Sequence, residues 1–187
     1  MAHVFHAICG MRSGPRLLKL ALDNGTDIRA MDPLYDAVKC RNPNVLKMVL
    51  TSIPKLLHTQ GSETALSTAV LHCRPQNAMV LLRKGIRISP PVGMYAQSAL
   101  QRAVERGFFK VVDAILSRPE LGSAGWTAEL MKCIIVAKER KYWKVMGSLL
   151  RCYRRSGGKS LPDCLKGHKQ EVGRLLKHFE DISAPLR

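Results

Sequence analysis

With 187 residues, 46% of them hydrophobic, the chain holds apolar material for one core of ordinary size, which excludes a mainly disordered chain. Its longest apolar stretches, such as Cys133 to Ala137, fall far short of the roughly 20 residues that a membrane-spanning helix needs, so a water-soluble protein is expected. Thirty Lys and Arg against 14 Asp and Glu give a formal charge of +16, which attracts acidic proteins, nucleic acid or anionic lipid without choosing among them.

Positions 1–22 contain Arg12, Arg16 and Lys19 and no acidic residue. A mitochondrial transit helix has that composition, but Gly14-Pro15 would break it, and the segment fits an internal repeat instead. The repeat consists of a Leu-x-x-Ala element followed by an aliphatic cluster ending in Leu. Ala37, Ala69, Ala103 and Ala137 are spaced by 32, 34 and 34 residues, and each precedes a leucine (Leu50, Leu82, Leu116, Leu150) by 13. Three residues before these alanines stand Leu34, Leu66, Leu100 and Ile134. Five before stand Asp32, Thr64 and Ser98, all good helix N-caps, and only Lys132 breaks that column. An earlier copy places Val4 and Ala7 in the Leu and Ala columns and Leu22-Asp23-Asn24-Gly25 opposite Leu82-Arg83-Lys84-Gly85. Its interval is 15, the two extra residues falling in a Met11 to Pro15 loop.

Each copy predicts two short helices joined by a tight turn. In the copy from Ser98 to Leu116, Gly107 ends the first helix in a left-handed conformation, and Val111, Val112, Ile115 and Leu116 share one face of the second. Such a pair cannot cover its own apolar stripe, whereas stacking at a period near 33 buries it, and small alanines let neighbouring helices approach closely. In the fifth copy Trp126 to Met131 reads as an early helix start, capped by Thr127. Ser156 to Pro162 reads as a linker, and an amphipathic helix over about His168 to Phe179 caps the array.

The period and the elements Thr64-Ala65-Leu66-Ser67-Thr68-Ala69, Asp32-Pro33-Leu34-Tyr35-Asp36-Ala37 and Leu81-Leu82-Arg83-Lys84-Gly85 resemble the ankyrin repeat, with its Thr-Pro-Leu-His-x-Ala and Leu-Leu-x-x-Gly patterns. The resemblance covers about residues 2–155 as five divergent copies, with 156–187 as linker and capping helix. No copy has the full pattern: Phe5, Tyr35, Ser67, Gln101 and Ile135 replace the His, the turn Gly survives clearly only at Gly107, and Pro119 and Tyr153 stand where a Gly follows the second helix. It implies an all-α solenoid of stacked helix-turn-helix units that holds a partner protein on its concave face. Carried over by column, the partner-binding residues are Arg29, Met31, Lys39, His72, Tyr95, Gln97, Glu105, Arg106, Met131 and Arg140. Glu63 and Glu139 share those columns, and Arg29, Tyr95, Arg106 and Arg140 are the leading candidates, since Arg, Tyr and Met make interface centres.

No catalytic constellation is visible, so no enzyme and no cofactor are expected. Gly157-Gly158-Lys159-Ser160 ends like a phosphate loop but lacks the earlier Gly and follows no strand. The six histidines form no metal pattern. The six cysteines (Cys9, Cys40, Cys73, Cys133, Cys152, Cys164) have no two-residue spacing and read as reduced, mostly core, thiols of a cytoplasmic or nuclear monomer. Residues 132–159 carry nine Lys or Arg against Glu139 alone, and no acidic residue lies between Glu63 and Glu105. Three readings stay open for that excess: a solvated surface, a site for an acidic protein, and nucleic-acid binding or nuclear import. Ser148 to Leu165 is similar to the SOCS box of ubiquitin-ligase adaptors, with Leu161-Pro162, but Leu149 and Cys152 are one residue too close. The leading expectation is a non-catalytic interaction module for an acidic or extended protein segment, of the kind a pathogen or virus uses to inhibit a host pathway. A basic nucleic-acid or anionic-surface binder and a ubiquitin-ligase substrate adaptor are the alternatives.

Overall fold

The computed structural model describes residues 2–11, 13–28, 32–58, 63–88, 97–158 and 165, and among these every regular element is helical. The helices are α1 (Ala2–Gly10), α2 (Gly14–Asp23), α3 (Pro33–Lys39), α4 (Pro43–Ser52), α5 (Glu63–Leu71), α6 (Pro75–Arg83), α7 (Ala99–Glu105), α8 (Phe109–Leu116), α9 (Thr127–Glu139) and α10 (Trp143–Arg155). They fall into five hairpins at the period of the repeat. The chain divides into two compact units, Met1–Ser89 and Pro90–Arg187. Among the described residues no helix is long and apolar enough to cross a membrane.

In the N-terminal unit the first helices α1, α3 and α5 pack in sequence, and so do the second helices α2, α4 and α6. In the C-terminal unit α7 packs on α9, and α8 on α10. Each unit therefore has two helix layers, with the apolar columns between them. Ala37, Ala69, Ala103 and Ala137 are fully buried, as the close approach of first helices requires, and so are Val112, Ile115, Ile134, Met146 and Leu149.

Backbone conformation at the turns explains how so divergent a repeat keeps its hairpins. Four residues after the reference alanine, Cys73, Gly107 and Lys141 all have positive φ, of 55°, 68° and 58°. At each, two backbone hydrogen bonds close the helix end, as in Gly107 N to Val104 O at 3.0 Å and Phe108 N to Ala103 O at 2.9 Å. The turn thus recurs where the glycine does not. Gly107 is also hemmed in, since a Cβ there would meet the Tyr142 hydroxyl at 3.3 Å. The expected Gly after the second helix is displaced rather than lost in the fifth hairpin: Tyr153 is buried inside α10, which runs to Arg155 and turns at Gly157.

Other expectations are corrected. Asp32 and Ser98 do cap α3 and α7, accepting from Tyr35 N at 3.3 Å and Gln101 N at 2.9 Å, but Thr64 lies inside α5. Thr127 is the first residue of α9 rather than its cap, and its hydroxyl donates to the Ser156 carbonyl at 3.0 Å. In α1, among the residues whose burial is described, Phe5 is buried and Ala7 is exposed, so the core column there is displaced from the alanine alignment. Gly14 is needed in the wider turn that follows, because a Cβ would run into the Ile8 carbonyl oxygen. The proposed cap helix 168–179 lies outside the described residues.

Candidate interaction surfaces

Of the partner-binding candidates, Arg29, Met31 and Tyr95 lie outside the described residues. The rest fall at or near the ends of first-layer helices. In the N-terminal unit Lys39 ends α3, its ammonium 3.3 Å from the centre of the Tyr35 ring, and His72 is exposed just past α5. In the C-terminal unit Glu105 ends α7 and Arg106 follows it, with Arg140 in the same place after α9. Glu105 Oε1 accepts from Gln97 Nε2 at 3.2 Å and from Gln101 Nε2 at 2.9 Å. That pairing fixes a polar edge in which Arg106 and Arg140 are exposed and Met131, earlier on α9, is half-buried. Because α7 packs on α9, these residues share one layer.

A second surface was legible only as a charge excess. Between α8 and α10 lies a cleft of about 630 Å³, lined by Asp113, Leu116, Ser117, Ser148, Arg151, Arg154 and Arg155. The three arginines stand at i, i+3 and i+4 on α10, a spacing that puts them on one helix face, and the sequence carried that signal. Arg155 Nη2 donates to the Leu116 carbonyl at 3.0 Å, closing one of the open acceptors at the end of α8. The aromatics of this basic region do not form a stacking platform. Tyr153 is buried, and Tyr142 meets Phe109 edge to face with ring centres 5.0 Å apart. Trp143 and Phe109 occupy one column, but it is the first turn of the second helix rather than core: Phe109 is 45% exposed and Trp143 half-buried. The same column holds Pro43 and Pro75, whose fixed φ suits a first helical turn and which sequence reading passed over.

The cysteines divide by environment. Cys40, Cys133 and Cys152 are buried, Cys9 is half-buried, and Cys73 is exposed because its left-handed turn carries it to the surface. The Cys9 thiol donates to the Cys40 sulfur, which raises Cys9 above the ordinary thiol range and lowers Cys40. Burial pushes Cys133 well up. Iodoacetamide must reach the sulfur, so exposed Cys73 is expected to be alkylated before buried Cys133 and Cys152, which should react at least about tenfold more slowly until the chain unfolds. Timed alkylation followed by peptide mass spectrometry reads this order, and equal rates at Cys73 and Cys133 would contradict the packing. Cys164 lies outside the described residues, and among those described no group of three or more His, Cys, Asp or Glu side chains is placed to hold a metal.

No family model matches the chain, and neither a curated protein nor a solved structure matches it.

Proposed function

We propose that the chain is a non-catalytic interaction module, a divergent ankyrin-repeat array, which holds an acidic or extended segment of a partner protein on the exposed ends of its first-layer helices. The observation that carries the reading is the combination of helix hairpins stacked within each unit at the repeat period with a left-handed turn at the same column after α5, α7 and α9. Stacked hairpins leave their turn ends in solvent, and side chains there can vary without disturbing the core. At the ends of α7 and α9 this variable edge presents Arg106 and Arg140 beside the Gln97–Glu105–Gln101 cluster. Arginine suits such an edge because its planar fork binds carboxylates in two parallel hydrogen bonds.

The test is affinity purification with mass spectrometry from lysate with and without nuclease treatment at about 0.15 M salt, comparing the native chain with an Arg106→Glu, Arg140→Glu double variant. The expected result is a discrete protein that the native chain recovers and the folded variant loses. Recovery of nucleic-acid-associated proteins alone, abolished by nuclease, would replace this reading with a nucleic-acid binder. In that case a log–log salt dependence with slope near −5 is expected for about six neutralised phosphates.

A further inference from the structure

We infer that the arginine-lined cleft between α8 and α10 is a second binding site, on the other helix layer, for a phosphorylated residue in an acidic protein segment. It goes beyond the first-layer reading and stands whether or not Arg106 and Arg140 bind a partner. Three guanidiniums (Arg151, Arg154, Arg155) line one cleft, and among the described residues they share it with one carboxylate, Asp113, and two hydroxyls, Ser117 and Ser148. All three arginines project from neighbouring positions of one helix, where like charges repel. A bound dianion relieves that repulsion, and a monoanionic carboxylate relieves less of it.

The arginines are also partly held in place before any ligand arrives. Arg155 is tied to the Leu116 carbonyl at 3.0 Å, an acceptor that neutralises none of its charge, and Arg151 Nη2 donates to Ser148 Oγ at 3.4 Å. Arg154, between them in sequence, is exposed. A phosphomonoester brings three strong acceptor oxygens, which matches several guanidinium donors and a serine hydroxyl better than the two oxygens of a side-chain carboxylate do. The chain's formal charge of +16 draws acidic segments toward it.

Two features favour a phosphorylated protein over nucleic acid. Among the described residues that line the cleft none is aromatic, so none of them offers a base a surface to stack on. Asp113 stands in the lining and opposes a continuous phosphate backbone, whereas one phosphoryl group can sit on the α10 arginines away from it.

The experiment is fluorescence polarisation with the full chain and three labelled probes: a pool of short acidic peptides with one fixed phosphoserine, the same pool with serine, and an oligo-thymidylate. The phosphoserine pool is expected to bind at least about tenfold more tightly than the serine pool, because the added charge is met by charge-assisted hydrogen bonds. Arg154→Gln and Arg151→Gln should each weaken it about tenfold, and Arg154→Lys should restore only part of the loss, since lysine keeps the charge without the fork. Arg154 is exposed, so its variants keep the fold even if Arg151→Gln does not. Lys144→Gln, an exposed change on α10 outside the cleft lining, should leave binding unaltered. Equal affinity for the two peptide pools would overturn the proposal, as would a loss with Lys144→Gln matching that of Arg154→Gln. Tighter, arginine-dependent binding of the oligo-thymidylate would overturn it in favour of nucleic acid.

Discussion

Asn77→Asp is expected to destabilise the N-terminal unit by about 3–5 kcal/mol and Asn77→Ala by about 2–4 kcal/mol, far more than a polar substitution on an ordinary helix surface. Asn77 is 1% exposed on α6, and its amide nitrogen donates to the carbonyls of Cys40 at 2.8 Å, Val38 at 2.9 Å and Ala37 at 3.4 Å. Arg74 Nε adds a bond to the Lys39 carbonyl at 2.8 Å. Together they serve the open carbonyls at the end of α3, which lacks the left-handed turn found after α5, α7 and α9: Cys40 caps it with φ of −59°. Alanine leaves those acceptors buried and unmet. Aspartate is worse, because an ionised carboxylate has no donor and faces three oxygens. Burial against three carbonyl oxygens disfavours its charged form, so its folded-state pKa would rise above the unfolded value. Stability lost at neutral pH should then partly return as pH falls toward about 4, where the acid can donate one hydrogen bond. Urea unfolding followed by circular dichroism at the two pH values reads both effects. A loss below about 1 kcal/mol for Asn77→Asp would mean that the end of α3 is hydrated instead.

The same residues show where the sequence stopped being informative. The five hairpins and the buried alanines of the last four could be read from period alone, because helix faces are dictated by residues three and four apart. What Asn77 does could not, since it satisfies a helix end 37 to 40 residues earlier in the chain and no local pattern marks such a partner. The left-handed turns at Cys73 and Lys141 escaped because glycine was taken as their marker, although the two closing hydrogen bonds offset the strain of a side chain there. Ala7 misled for a different reason. In α1, which packs on α2 and α3, the buried position is taken by Phe5 while Ala7 is exposed. For the candidate surfaces, the first-layer residues followed from column arithmetic, and the arginine cleft needed α10 to be a helix extending to Arg155, so that charges counted along the chain became one face.

Trp126→Ala is expected to cost about 3–5 kcal/mol in the C-terminal unit, the range for deleting a fully buried aromatic side chain and leaving part of its volume empty. The link from α8 to α9 is not an open loop. It forms two short 3-10 turns, Pro119–Gly122 and Ala124–Trp126, that pack on each other. Leu121 is fully buried and Trp126 is 2% exposed, so the crossover is pinned by two apolar side chains. The first turn also packs on α10, where the Cys152 thiol donates to the Leu121 carbonyl at 3.8 Å, and the second packs on α9. Emptying the Trp126 site therefore loosens both helices that carry Arg140 and the cleft arginines. Trp143 is the only other tryptophan and is half-buried, so removing Trp126 should delete the blue-shifted part of the intrinsic fluorescence and leave a red-shifted remainder. Trp126→Phe should lose much less stability, because most of the volume remains. Phosphopeptide affinity should fall in Trp126→Ala only as temperature approaches its lowered melting point, whereas Arg154→Gln should lose affinity at every temperature. If Trp126→Ala melted with the native chain, the crossover would not be holding α9 and α10 in register, and the cleft would have to be stable through the α8 to α10 packing alone.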